Sequence, residues 1–229
     1  MLHKLLRRVQ DEWRGAVRSF RYNAPSFQKH HWGEELQRYD WDGSRLYGYD
    51  WGDPERADDR LGNYRALRDQ LLGFVTPESV VLEIGSLGGK WTQYVRHARQ
   101  VICVDVTDVG FAYIRKKLPS ENISFYLTEG DELRGIASGT VDVLFSMDTL
   151  VRVPRSYIAR YIAESARVVK AGGHLLMHLP CSDVAFCRQK GFTRLSRRRI
   201  ERLFAAQTFR SVTIDANLLA HGVVVHAVR

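Results

Sequence analysis

Three cysteines in 229 residues are too few for a disulfide framework. Cys103, Cys181 and Cys187 also lack the paired spacing of a zinc set, and Cys103 falls inside an apolar, strand-like run. That usage suits a reducing, cytoplasmic compartment. Uninterrupted apolar stretches are short, such as 223–225, and none approaches the roughly 20 residues needed to cross a bilayer. The N-terminus alternates cations with apolar residues and offers no continuous apolar core ahead of a small-residue cleavage site, so secretion is not expected. Internal repeats and low-complexity tracts are missing as well.

What is present is ordinary globular material. Hydrophobic residues make up 45% and charged residues 26%, enough to bury a sizeable core and to exclude disordered and fibrous classes. The length predicts one domain with an appendage. Lys and Arg outnumber Asp and Glu by 34 to 26, a formal net charge of +8.

The excess is uneven. Over residues 2–21, Leu2, Leu5, Leu6, Val9, Trp13, Ala16, Val17 and Phe20 form one helical stripe, and the polar face carries Lys4, Arg7, Arg8, Arg14, Arg18 and Arg21 against Asp11 and Glu12. Such a basic amphipathic helix either covers an apolar flank, within the chain or across a dimer, or lies on an anionic membrane surface. Residues 22–57 read as a loop rich in Tyr, Trp, Gly and Asp, which is either a functional loop over a site or aromatic padding of the core. The expected division is therefore 1–57 as a helical and aromatic extension, a lid or acceptor platform, and 58–229 as the main domain.

From residue 58 the pattern is regular. Asp58 or Asp59 is the expected cap of a helix carrying Leu61, Tyr64, Leu67, Leu71 and Val75, ended by Thr76-Pro77. Strands over 79–84, 100–105, 122–127, 141–146 and 173–179 alternate with helices over 89–98, 109–118 and 155–170, the last stopped by Ala171-Gly172-Gly173. That alternation predicts a doubly wound, mostly parallel sheet with helices on both faces. A helix over 197–206 with Ser196 as cap is followed by strands over 209–217 and 222–228. Only residues 218–221 separate these two, so they must pair antiparallel. The expected architecture is α/β, a seven-stranded sheet with an antiparallel last strand.

The first strand runs into Gly85-Ser86-Leu87-Gly88-Gly89-Lys90-Trp91. Glycines at a strand-to-helix turn let backbone approach a ligand and leave amides pointing at it. Asp105, at the end of the second strand, is placed to accept both hydroxyls of a ribose. Glu83-Ile84-Gly85, Gly88-Gly89, Asp105, Gly130-Asp131, the run from Val141 to Ser146 and the closing antiparallel pair resemble the Rossmann-like methyltransferases that depend on S-adenosylmethionine. The resemblance covers residues 60–229. Trp51-Gly52-Asp53-Pro54-Glu55, Gly89-Lys90-Trp91-Thr92 and Phe145-Ser146-Met147-Asp148 are similar to a subgroup associated with O-methylation of glycans and natural products.

The resemblance implies S-adenosylmethionine as cofactor and S-adenosylhomocysteine as product. It implies that Glu83 and the turn (Gly85, Ser86, Leu87, Gly89, Trp91) hold the methionine end, Asp105 with Val106 the ribose, and Gly130 with Asp131 or Glu132 the adenine, with Ser146 ending the central strand. The pattern departs from the family at two positions. Leu87 stands where a middle glycine is usual, and a negative φ there would leave the backbone serviceable. Arg152 stands where the subgroup commonly has a histidine, and an arginine stays protonated at neutral pH and cannot act as a base. His221 in the last connection is therefore the first candidate for the base, then Asp148, which could instead bind a divalent metal with His221 or meet substrate hydroxyls. His178 and His226 read as structural, and Arg152 would orient an anionic or polyhydroxylated acceptor.

The expected reaction is thus O-methylation of a sugar hydroxyl or a related metabolite. Two rivals are a catalytically degenerate cofactor-binding protein, suggested by Leu87 and Arg152, and an RNA methyltransferase, suggested by the charge. The Asn/Asp-Pro-Pro-Tyr/Phe motif of base methylation is absent, which sets nucleic acid below a glycan acceptor. A basic surface also suits phosphate-linked acceptors at the inner membrane face. Monomer and homodimer both remain open.

Overall fold

The computed structural model describes His30, His31, Glu34 and residues 52–130 and 132–229. The basic helix over 2–21, nearly all of the aromatic loop and Asp131 lie outside the described residues.

Numbered within the described part, the chain runs α1 (Tyr64–Leu72), β1 (Val80–Ile84), β2 (Gln100–Asp105), α2 (Val109–Lys117), β3 (Ile123–Leu127), β4 (Val141–Ser146), α3 (Arg155–Val168), β5 (Val169–Leu179), α4 (Ala185–Gln189), α5 (Arg197–Ala205), β6 (Ser211–Asp215) and β7 (Val223–Val228). The seven strands pair in the order β3-β2-β1-β4-β5-β7-β6. β1 to β5 are parallel, and β7 runs antiparallel to both β5 and β6. β1 is buried along its whole length, as a central strand covered on both faces must be.

Alternate residues of β1 feed two cores. Val80, Leu82 and Ile84 pack with Ile158 and Ile162 of α3 and with Ile200 and Phe204 of α5. Val81 packs on the other face with Leu67 and Leu71 of α1 and Phe111 and Ile114 of α2. Helices therefore cover both faces, as the alternation predicted.

Local details differ from expectation. Asn63, not Asp58 or Asp59, caps α1 through its side chain, which accepts from the Ala66 N–H at 2.9 Å; Asp59 instead accepts from the Leu61 N–H in a turn. The helix expected over 89–98 is a single 3₁₀ turn, Thr92–Val95, because Gly89 sits at φ +77 and breaks helical backbone just before it. Ala171-Gly172-Gly173 does not stop a helix. β5 starts at Val169 directly after α3, and the glycines lie where its register with β4 shifts between Val141 and Val143. α4 was not expected. Among the described residues, no helix is long and apolar enough to cross a membrane.

Candidate active site

β1 lies between β2 and β4, so the chain leaves β1 and β4 in opposite directions and opens a crevice at the C-terminal ends of the strands. Ser146 Oγ donates to Ile84 O at 3.0 Å, and Thr149 Oγ1 donates to Gly85 O at 3.3 Å, tying the two strand ends together. A Cβ on Gly85, at φ +81, would come within 2.1 Å of Thr149 Oγ1, so only glycine fits this approach. The resulting cleft of about 190 Å³ runs from Asp105 and Gly130 past the glycine-rich turn to Asp148, Arg152 and His221.

At the turn end, Asp105 gathers backbone donors. Its Oδ2 accepts from Leu87 N at 2.9 Å, and its Oδ1 accepts from Val106 N at 2.7 Å and Thr107 N at 3.3 Å. Burial pushes the carboxyl up to about 6 against the pull of these amides. Glu83, also buried, accepts from Thr92 Oγ1 at 2.5 Å. Burial pushes it up to about 8, with Asp105 adding to the rise while Thr92 and Lys90 oppose it. Leu87 sits at φ +33, contrary to the negative φ that would have made it harmless, and so adopts backbone that glycine takes more easily. Its bond to Asp105 and the close approach of Gly110, whose Cβ would lie 2.2 Å from Leu87 O, hold it there. Ser86 Oγ and Trp91 Nε1 are buried with no partner among the described residues, and both residues line the cleft. Backbone turned toward the cleft, orphaned donors and two acids suit a zwitterionic nucleoside ligand of the S-adenosylmethionine type.

At the far end Asp148 is the centre of a buried network. Tyr64 Oη donates to its Oδ1 at 2.8 Å, and His221 Nε2 lies 3.1 Å from the same oxygen. His178 Nδ1 lies 3.2 Å from Oδ1 and 3.3 Å from the Asp148 amide nitrogen. Lys90 Nζ sits 2.9 Å from Oδ2 and donates to Gly52 O at 3.3 Å. Burial alone would raise Asp148, but the Lys90 ammonium and the two histidines hold it well below the usual carboxylate range. The Arg152 guanidinium stacks over Phe192 at 4.9 Å from the ring centre, and Phe186 and Phe192 turn their edges to His221.

Of the residues singled out in the sequence, His221, Asp148, Arg152, Glu83, Gly85, Ser86, Leu87, Trp91, Asp105, Val106 and Gly130 line one cleft. Gly89, Glu132 and Ser146 do not. Gly89 shapes the turn, Glu132 pairs with Arg134 at 2.6 Å, and Ser146 joins two strand ends. Sequence reasoning missed Tyr64 and Lys90 and set His178 aside as structural. A lysine inside an otherwise apolar turn was the available signal; Tyr64 gave none, because it occupies a core position of α1.

Asp148, His178 and His221 each offer a ligand-type atom within 4.8 Å of the others. Two features oppose a divalent ion. The Lys90 ammonium already compensates Asp148, and among the described residues neither His178 Nε2 nor His221 Nδ1 has the outer acceptor that ligating imidazoles take. The cluster is a hydrogen-bonded charge network, and its residues do not fit a metal.

The family model described as a methyltransferase domain matches residues 82–177. No curated protein matches the chain. Among solved structures, geranyl diphosphate C-methyltransferase from Streptomyces coelicolor A3(2) aligns with a TM-score of 0.61 at 15% identity, covering 90% of this chain and 98% of that one. An S-adenosylmethionine-dependent methyltransferase from Mesorhizobium loti gives a TM-score of 0.61 at 14% identity, covering 80% and 100%. The CurJ carbon methyltransferase gives a TM-score of 0.52 at 16% identity over 66% of this chain and 48% of that one, so the chain spans about half that protein's length. Residues 82–177 thus resemble a methyltransferase domain, and the chain shares its fold with these S-adenosylmethionine-dependent enzymes.

Proposed function

We propose that the chain transfers a methyl group from S-adenosylmethionine to a hydroxyl of a sugar or related polyhydroxylated metabolite, leaving S-adenosylhomocysteine. The observation that carries this reading is the meeting, in one cleft, of a glycine-rich backbone cradle and two acids at one end with a buried imidazole at the other. Glu83 and the 85–89 turn would hold the methionine end, Asp105 and Val106 the ribose, and Gly130 with Asp131 the adenine.

The bound cofactor supplies an electrophilic methyl on a sulfonium. The chain's own work is to align an acceptor oxygen in line with the sulfur–carbon bond and to accept the hydroxyl proton as the new carbon–oxygen bond forms. His221 takes that proton. Arg152, always charged, orients the acceptor from above Phe192, and its charge favours anionic or phosphate-linked acceptors. Residues 1–57 would serve as lid or platform. In support, Glu55 is pinned beside the turn by Arg68 at 2.6 Å and by Tyr94 at 2.7 Å.

Calorimetric titration with S-adenosylmethionine and S-adenosylhomocysteine tests the cofactor. Transfer of radiolabelled methyl to a panel of nucleotide sugars and aryl glycosides tests the acceptor. Micromolar binding of both ligands with label on a sugar supports the reading. Binding of both without transfer would favour the degenerate cofactor-binding protein, and a folded protein that binds neither would favour a repurposed scaffold, in keeping with the left-handed Leu87. Binding to RNA with a steep salt dependence would redirect the acceptor to nucleic acid.

A further inference from the structure

We propose that Asp148 is a positioning residue that fixes His221 as the Nε2–H tautomer and so presents Nδ1 as the proton acceptor, with Lys90 and Tyr64 holding Asp148 in place. This rests on the reading of His221 as the base.

Asp148 is one of two non-glycine residues at positive φ among the described residues, at +59. Aspartate tolerates that backbone better than most side chains, and four partners from four segments fasten it: Tyr64 of α1, Lys90 of the turn, His178 of β5 and His221 before β7. The two oxygens have separate tasks. Oδ2 faces the Lys90 ammonium at 2.9 Å, which leaves Oδ1 for the tyrosine and the two imidazoles. An ionised carboxylate only accepts hydrogen bonds, so the nitrogen facing it must carry a proton. Tyr64 Oη lies 3.3 Å from the same His221 Nε2. The phenol spends its hydrogen on Asp148 and so turns a lone pair toward the imidazole, a second acceptor with the same demand.

Nδ1 is then the lone-pair nitrogen, and it is buried with no partner among the described residues. The ring is held in that sense. Tyr64 stacks on it at 6.2 Å and 23°, and the His178 ring meets it edge-on at 4.5 Å. Gly222 presses the following backbone onto His178, where a Cβ would come within 2.3 Å of Nε2. Turning the ring over would set a lone pair against a carboxylate. When a hydroxyl proton reaches Nδ1, the Nε2–H stays on Asp148, and the carboxylate stabilises the imidazolium that forms.

The experiment reads ¹⁵N shifts of the His221 ring in the full chain, together with methyl transfer to the nucleotide-sugar panel. The wild type is expected to show Nε2–H with an unprotonated Nδ1. Asp148→Asn keeps a residue that tolerates positive φ, and it should scramble the tautomer and lower kcat by roughly 10²–10⁴-fold while the Kd of S-adenosylhomocysteine stays within about threefold. If Asp148→Asn does not fold, the pair Asp148→Asn with Lys90→Met removes both charges, and Tyr64→Phe removes one hydroxyl for a fall in kcat of about 3–10-fold. An Nδ1–H tautomer in the wild type, or an unchanged kcat in Asp148→Asn, overturns the proposal. His221→Gln separates the two readings. Full activity in that variant overturns the base assignment and the positioning role with it, whereas an inactive His221→Gln beside a wild-type Nδ1–H signal overturns the positioning role alone.

Discussion

The two ends of the cleft each bury carboxyl groups, yet they shift them in opposite directions. At the turn end Glu83 and Asp105 are pushed up to about 8 and about 6, because burial outweighs the hydroxyl and amide donors around them. At the far end Asp148 is driven down, because Lys90 places a full positive charge 2.9 Å away. Uncompensated buried acids leave a deficit of positive charge, which a cationic ligand can fill. A compensated acid is complete in itself and is free to orient its neighbours.

Removing the cation breaks that contrast most severely. Lys90→Met leaves Asp148 without its counter-ion and is expected to destabilise the fold by about 3 kcal/mol; chemical denaturation with a loss below 1 kcal/mol would show that the histidines suffice. The turn end is the next to yield. Asp105→Ala removes the acceptor of three backbone amides and of the proposed ribose hydroxyls, and should weaken S-adenosylmethionine binding by about 10–100-fold. An unchanged dissociation constant in titration calorimetry would end the ribose assignment.

Titration sharpens the comparison with smaller effects. Glu83 and Asp105 have folded-state values above their ordinary 4.5 and 3.8, so at these two groups the folded chain holds more protons than the unfolded chain, and their contribution to stability is lost as pH rises from about 3.8 towards 8. Glu83→Gln should flatten that slope in Tm measured against pH, and should reduce proton release when the cofactor binds, read as a buffer-dependent heat. His174 and His226, joined at 3.1 Å beneath Phe74 and remote from the cleft, act in the opposite sense. Burial lowers both from 6.5, so their contribution is present above that value and lost as pH falls below it. The smallest effect is expected of Leu87→Gly, which relieves φ +33 and clears a side chain from the cleft. Cofactor binding should tighten by a few-fold, with stability changing by about 1 kcal/mol or less. Equal affinity in both proteins would show that the leucine is no obstacle.

Much of this was legible beforehand. The mostly parallel seven-stranded sheet and its antiparallel close follow from alternating apolar runs and one connection too short for a crossover, whereas the order of strands in the sheet came from the structure. Glu83, the glycine turn and Asp105 announced themselves because their spacing on consecutive elements is fixed by the chain. The helix expected over 89–98 failed for a local reason, since Gly89 at positive φ breaks its start. Tyr64 and Lys90 were hidden for another. Their importance lies in a contact with Asp148 across 84 and 58 residues, and neither a helix-spaced tyrosine nor a lone lysine carries that information along the chain.

Sequence by itself settled the architecture, because periodicity and turn chemistry are local and the doubly wound sheet is the way to bury strands that are apolar on both faces. It also settled which acid ends which strand. Only the tertiary structure decided what those acids do. The charge state of a buried carboxyl depends on which cation lies within 3 Å of it, and the tautomer of a histidine depends on what its nitrogens face. Both are properties of distance in space, set when α1, the turn, β5 and the last connection close on Asp148.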